Sequence, residues 1–532
     1  MVPAGEKSVP ESTYRVRHAD RGQIRKVRWK VCTKVRHDMV SSVLGKARKY
    51  EEEREGRPEN GAKPAFHLRT RVGWMNDPNG FSYYNGEYHL FYQYYPYASQ
   101  WGPMHWGHAV STDLLHWRHL PTALAPDTDY DKAGCFSGSA AELADGRHLL
   151  LYTGVYKERQ PDDTLRDIQI QCVAVGDGIE YEKYVGNPVL TQKDLPEDGS
   201  RFDFRDPKIW RKPDGTYRCV IGNCTEEGDG RVLLYSSPDG FRWKYDKILV
   251  VNNKRFGRMW ECPDFFTLDG KGVLIVSPTE MLQQGSEYQS GNGTLCLIGS
   301  YDDETDTFME ERDQAIDYGI DFYAPQTVLA PDGRRIMIGW MQNWDTCSTY
   351  TPDGAWFGQM SLPRELTIQN GRLYQRPVRE LEDMRGEAVH HEHVFFTDEI
   401  RLAGVEGRKV DMELAIRPAD TENIYHKFAM RFAQSDIHHT SVSFRPHESI
   451  VEIDRRFAGS RRAILHQQSC RVNHRDGSIK LRIILDKFSV EVFVNDGEHV
   501  LTATLYTDLA AEGISFYADG EVVMDVVKYA LR

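Results

Sequence analysis

Asp77, Asp206 and Glu261 are spread over 184 residues, yet each stands nine residues ahead of a glycine that opens an apolar strand. Their contexts are NDPN, RDPK and WECP. Like charges brought together push one pKa up. A group of acids can therefore hold one carboxyl protonated and another ionised. A proton donor beside an ionised nucleophile is what a retaining cleavage of a glycosidic bond requires, with the two carboxyls about 5 to 5.5 Å apart. Asp77 alone, in Asn-Asp-Pro-Asn-Gly, reads as a turn residue. Three acids at matched positions of a repeat make it a reagent instead.

The repeat itself predicts the elements that hold the acids. A turn glycine followed by an apolar strand recurs at Gly86, Gly146, Gly215, Gly270 and Gly333, at spacings of 60, 69, 55 and 63 residues. Nine residues back from these glycines lie Asp77, Ser137, Asp206, Glu261 and Ala324. A second element, S-x-D-x-x-x-W, occurs at Ser111 to Trp117 and again at Ser237 to Trp243. Units of this size, each with several short strands, match the blades of a five-bladed β-propeller. The position ahead of each second strand belongs to the innermost strand, so the acids are expected to converge at one mouth of the central channel.

Three regions follow. Residues 1–62 form a basic N-terminal extension, with ten Lys or Arg against four Asp or Glu in residues 1–38. A helix is expected over about 39–55, where good helix formers run without proline. Residues 63–383 carry the propeller repeat. Residues 384–532 change to period-two alternation between turn residues, which reads as an antiparallel β-sandwich without catalytic residues. The predicted fold class is thus all-β.

The 532 residues exceed one ordinary core, and 40% hydrophobic with 27% charged residues describes a globular chain. A net charge of -13 argues against nucleic acid as a partner. The nine cysteines are odd in number and form no CxxC pair, which fits free thiols in a reducing compartment. The N-terminus shows no apolar signal region and no run approaches a membrane span, so a cytoplasmic location without membrane contact is expected. Homo-oligomerisation stays open. Trp74, Trp101, Trp260, Tyr323 and Trp340 fall near the inner strands, and flat rings of this kind cover the apolar faces of sugars. VHHEHV at Val389 to Val394 has a metal-like density of histidine, but its spacing suits a solvated hairpin better than a ligand set.

At these residues the sequence resembles glycoside hydrolase family 32, the invertases and related β-fructofuranosidases. WMNDPNG at 74 to 80, FRDPK at 204 to 208 and ECPD at 261 to 264 match the family's three motifs in order, and FSGS at 136 and DFYAPQT at 321 match further segments. The resemblance covers about residues 64–532. It implies that Asp77 is the nucleophile forming a fructosyl ester, that Glu261 is the acid and then the base, and that Asp206 binds fructose hydroxyls and steadies the transition state. It also implies that Asn76, Gln93, Trp101, Phe136, Ser137 and Arg205 line the fructosyl site. No metal or cofactor is expected. The stretch from Gln93 to Trp117 and the helical leader resemble the bacterial branch acting on sucrose or sucrose 6-phosphate. A phosphate would need a cation, for which Arg255 and Arg258 stand near Glu261. Arg205 beside Asp206 is expected to favour its ionised form.

Two other readings remain at this stage. One is an exo-fructanase or fructosyltransferase on the same fold. The other is a non-catalytic sugar-binding propeller.

Overall fold

The computed structural model describes residues 40–55, 63–347, 356–459 and 465–532. The basic stretch 1–38 lies outside the described residues. The helix runs from Ser42 to Arg54. It begins where the Ser41 side chain accepts the Leu44 N–H, satisfying a donor that has no partner within the helix. It presses Leu44, Ala47 and Glu51 inward, and Glu51 Oε1 accepts from Thr122 Oγ1 on the outer strand Arg118–Leu124.

Each turn glycine leads the second strand of its own sheet. These strands are Glu87–Tyr95, His148–Arg159, Tyr217–Thr225, Lys271–Pro278 and Arg335–Trp340. They are buried along most of their length because every blade is covered on both faces by its neighbours. Five four-stranded antiparallel blades make a five-bladed β-propeller. Gly86 (φ 87°) and Gly270 (φ 77°) close the tightest hairpins, in a conformation that a side chain rarely adopts. The repeated S-x-D-x-x-x-W is a shared turn: Asp113 Oδ1 accepts from the N–H groups of Leu115 and His116, as Asp239 Oδ1 does from Phe241 and Arg242. A two-residue strand, Trp356–Phe357, runs parallel to the first inner strand and pairs with Gly73 and Trp74, tying the chain beyond the fifth blade's second strand back to the first blade.

Residues 385–531 form a second, all-antiparallel body, the β-sandwich. Its longest strand, Gly513–Leu531, lies in the middle of its ten-stranded sheet and links the strands on either side. Residues 513–519 pair with Lys427–Gln434, and residues 522–530 pair with Val410–Pro418. The sequence pattern reads this segment as two strands. The structure has one, which runs on through Gly520 (φ 104°), where its pairing with Arg385–Ile400 shifts register between Phe396 and Asp398. VHHEHV is likewise a strand rather than a hairpin. It sits within Arg385–Ile400 and pairs with the long strand, with a register shift between His391 and Val394. Among the described residues no group of His, Cys, Asp or Glu is arranged to hold a metal ion.

Buried ions join the two bodies. Arg364 pairs with Asp317 at 3.0 Å and Glu491 at 2.6 Å, and Arg455 pairs with Asp321. His67 lies between Asp486 at 2.9 Å and Glu491 at 3.1 Å. Burial alone would lower its pKa, but hydrogen bonds to both carboxylates outweigh that and raise it to about 9. His67 is therefore a cation in the interface.

Candidate active site

All five inner strands carry a β-bulge at the same height. It opens after Met75, Phe136, Arg205, Glu261 and Tyr323, and pairing resumes at Pro78, Gly138, Lys208, Asp264 and Gln326. In the last three blades the second bulge residue is a proline, Pro207, Pro263 or Pro325. The unpaired position of a bulge tolerates the missing N–H. The first bulge residue has a positive φ in those blades: 65° at Asp206, 49° at Cys262 and 52° at Ala324. Such strained positions gather at functional sites. The acids are not at one equivalent position, as the glycine spacing suggests. Glu261 precedes its bulge, Asp206 opens it and Asp77 closes it. The hairpins differ in length, pairing Tyr84 with Glu87 but Arg211 with Tyr217, and the first inner strand has a second register shift between Asn79 and Ser82, so the count from the glycine differs between blades.

The bulges aim the three acids at one another. Asp77 is buried, and both its oxygens are held: Asn76 Nδ2 donates to Oδ1 at 3.1 Å and Ser137 Oγ to Oδ2 at 2.7 Å. Asn76 is itself fixed by the indole N–H of Trp74 at 2.7 Å. Cys262 Sγ lies 3.5 Å from Asp77 Oδ2 and 3.6 Å from Asp206 Oδ2, and the Cys262 backbone N–H donates to that Asp206 oxygen at 2.9 Å. Burial, then the charge of Glu261, pushes Asp77 up to about 6, against the hydrogen bonds it accepts. Burial and the acids push the Cys262 thiol well above its ordinary range, so it stays a neutral thiol and not a thiolate nucleophile.

Arg205 faces a different acid from the one its sequence position suggests. Its Nε and Nη2 donate to Glu261 Oε1 at 3.1 and 2.8 Å, whereas its Nε is 4.0 Å from Asp206 Oδ2. Chain neighbours in an extended strand point apart, and the guanidinium reaches the next blade. For Asp206 burial outweighs the pull of Arg205, and Glu261 and Asp77 add to it. Its carboxyl is therefore raised above the usual range, contrary to the sequence expectation. Tyr323 approaches the other oxygen of Glu261: its hydroxyl is 2.6 Å from Oε2 and 3.0 Å from the Ser277 carbonyl.

An apolar wall flanks the acids. Trp74, Met104, Cys262, Tyr323, Ala324, Trp340 and Phe357 pack together, with Phe136 partly buried against them. Trp74 stacks on Phe357 with ring centres 4.6 Å apart. Trp101 is 47% exposed and meets the Phe136 ring edge-on. Trp260 is a core residue, fully buried with its indole N–H on the Phe256 carbonyl, and Trp340 is fully buried too, so it backs the wall and offers no open ring face to a sugar. Gln93 is buried, and its amide donates to the Cys135 carbonyl rather than to any of the acids. Arg255 is held at 2.7 Å by both oxygens of Glu310, while the half-exposed Arg258 lies 3.6 Å from Asp203. The contacts of Asp203 and Gln169 to Arg205 have no motif to announce them in the sequence.

The N-terminal domain of glycosyl hydrolases family 32 matches residues 67–377 and the C-terminal domain of the same family matches residues 380–530. The chain belongs to glycosyl hydrolases family 32, and is a glycosidase. It is 37% identical to a sucrose-6-phosphate hydrolase of Escherichia coli over 469 residues, 87% of this chain and 93% of that one. It is 38% identical to a raffinose invertase of Escherichia coli, over 86% of this chain and 92% of the relative. Among solved structures, a Bombyx mori family 32 β-fructofuranosidase superposes with a TM-score of 0.77 at 34% identity, covering 92% of this chain and 98% of its own, and a mutant of it is solved in complex with sucrose.

Proposed function

We propose that this chain is a retaining β-fructofuranosidase that releases terminal fructose from sucrose or sucrose 6-phosphate. The observation that carries this reading is the meeting of Asp77, Asp206 and Glu261 around the Cys262 thiol and Arg205, with both oxygens of Asp77 fixed. In the first step Glu261 gives its proton to the glycosidic oxygen as the bond to the anomeric carbon breaks. An Asp77 oxygen bonds that carbon, and glucose or its 6-phosphate leaves. In the second step Glu261 takes a proton from water, the hydroxide bonds the anomeric carbon, and Asp77 is released. Asp206 accepts hydrogen bonds from the fructosyl hydroxyls and stabilises the positive charge that develops on the ring. Trp101 and Phe136 supply the accessible apolar surface for the sugar, backed by the buried Trp74 and Trp340, and Asn76, Ser137, Arg205 and Tyr323 hold the acids. The reaction needs no metal or cofactor.

A cytoplasmic location is part of the same proposal. The eight cysteines among the described residues are free, and seven of them are buried. No helix of the described residues is long and apolar enough to cross a membrane.

The test is kcat/KM measured side by side for sucrose, sucrose 6-phosphate and kestose, with Asp77→Asn as the blank. Release of fructose by the wild type and not by the variant supports the reading. A preference for kestose replaces it with an exo-fructanase, and transfer of fructose to sugar rather than water with a fructosyltransferase. Absence of turnover on all three overturns it.

A further inference from the structure

Resting on that reading, we infer that Asp203 is a positioning residue that sets how strongly Arg205 holds the acid–base Glu261. The two edges of the Arg205 guanidinium do different work. One edge, Nε and Nη2, grips Glu261 Oε1. The far nitrogen, Nη1, donates to Asp203 Oδ1 at 3.1 Å and to Gln169 Oε1 at 3.2 Å. Gln169 is fixed in turn by the Phe204 backbone N–H at 2.8 Å, and Asp203 Oδ2 by Ser200 Oγ at 3.2 Å. A planar guanidinium held on its far edge cannot swing, so its near edge meets Glu261 in one geometry.

Asp203 also divides the charge of Arg205. Three carboxyl groups, those of Glu261, Asp206 and Asp203, stand around this guanidinium, with Asp77 near Glu261, Arg258 beyond Asp203, and the Tyr323 hydroxyl and Cys262 thiol facing the acids. An arginine shared with Asp203 draws less on Glu261 than an unshared one would. Glu261 must carry a proton at the start of the cycle and lose it within the cycle. An arginine acting on Glu261 alone would favour the ionised form throughout. Asp203 thereby moderates the pull of Arg205 on Glu261, without touching the substrate.

The experiment is the pH profile of kcat/KM on sucrose for the wild type, Asp203→Asn, Asp203→Glu and Gln169→Glu, with thermal unfolding recorded for each. Asp203→Asn keeps the shape and the acceptor but removes the charge. Its alkaline limb is expected about half a unit or more below that of the wild type. Asp203→Glu keeps the charge and restores the limb. Gln169→Glu adds charge on the same Arg205 nitrogen and moves the limb the opposite way. Profiles that superimpose for Asp203→Asn and Gln169→Glu, with an active wild type, overturn the inference alone. A wild type inactive on every β-fructofuranoside overturns the fructofuranosidase reading and this inference with it.

Discussion

The Tyr323 hydroxyl stands 2.6 Å from Glu261 Oε2 and 3.0 Å from the Ser277 carbonyl. A carbonyl only accepts, and a phenol has one proton to give. Both contacts become hydrogen bonds at once when Glu261 carries a proton on Oε2 and donates it to Tyr323, which then donates to Ser277. Tyr323 thus gives the acid form of Glu261, which the first step uses, a partner on Oε2. Tyr323→Phe removes this partner and is expected to lower kcat about 10- to 100-fold, the worth of one hydrogen bond to a charged or acidic group. KM for sucrose should change little, and steady-state kinetics separate the two. A loss confined to KM would assign Tyr323 to sugar binding instead.

Asp77→Asn should abolish turnover while leaving the fold intact. Burial disfavours the ionised form of Asp77, so the neutral amide removes a cost that the active carboxylate imposes on the folded state. The variant is expected to unfold at the same temperature as the wild type or higher at neutral pH. Glu261→Gln should cost about 10²- to 10⁴-fold in kcat, the range for loss of a general acid–base group. Activated fructosides, whose leaving groups need no proton, should restore much of the first step for this variant and none for Asp77→Asn.

The acid limb of activity should follow Asp77. Its carboxyl must be ionised to attack, and its pKa is raised to about 6, so kcat/KM should fall as pH drops through that value. The stability linkage has the opposite direction to that of a paired surface carboxylate. Between the ordinary value of 3.8 and about 6 the folded protein holds a proton that the unfolded chain has lost. This group therefore destabilises the fold as pH rises across that window. In Asp77→Asn that part of the pH dependence of unfolding should vanish.

His67 predicts the behaviour of the interface at high pH. Its folded pKa of about 9 exceeds the ordinary 6.5. Its contribution is complete below 6.5 and is lost as pH climbs through 9. Denaturant titrations at pH 6, 8 and 9.5 should show stability declining across that range. The decline should be smaller in His67→Gln. His67→Ala leaves Asp486 and Glu491 without a buried cation on that side and should cost about 3 to 5 kcal/mol.

How much of this was legible in the sequence depended on the range of the interaction. Turn glycines and apolar strands are local signals, and they marked the second strand of every blade. Asp206-Pro207, Cys262-Pro263 and Ala324-Pro325 carry no bulge signal that a sequence pattern reads, and only the strand registers show that they are bulges. Asp77, Asp206 and Glu261 could be grouped because the repeat placed them together. The grip of Arg205 on Glu261 could not be, because nothing along the chain says that the guanidinium crosses to the next blade instead of turning to its neighbour Asp206. Trp260 illustrates the same limit from the other side, since one tryptophan in a motif packs inward while Trp74 and Trp340 join the wall beside the acids. The closing pair, Trp356–Phe357 on Gly73–Trp74, spans two residues and leaves no periodic trace.

That closing pair has a consequence for how loss of activity should be interpreted. The reacting groups come from the first, third and fourth blades, so no single blade contains a working fragment of the site. Trp74 is both a rung of the closing pair and the anchor of Asn76, which in turn fixes Asp77. A chain that has opened at this seam would keep nearly all its strands and yet have a slack nucleophile. Turnover is thus a gauge of circular integrity, one that should fade before spectroscopic signals of secondary structure do.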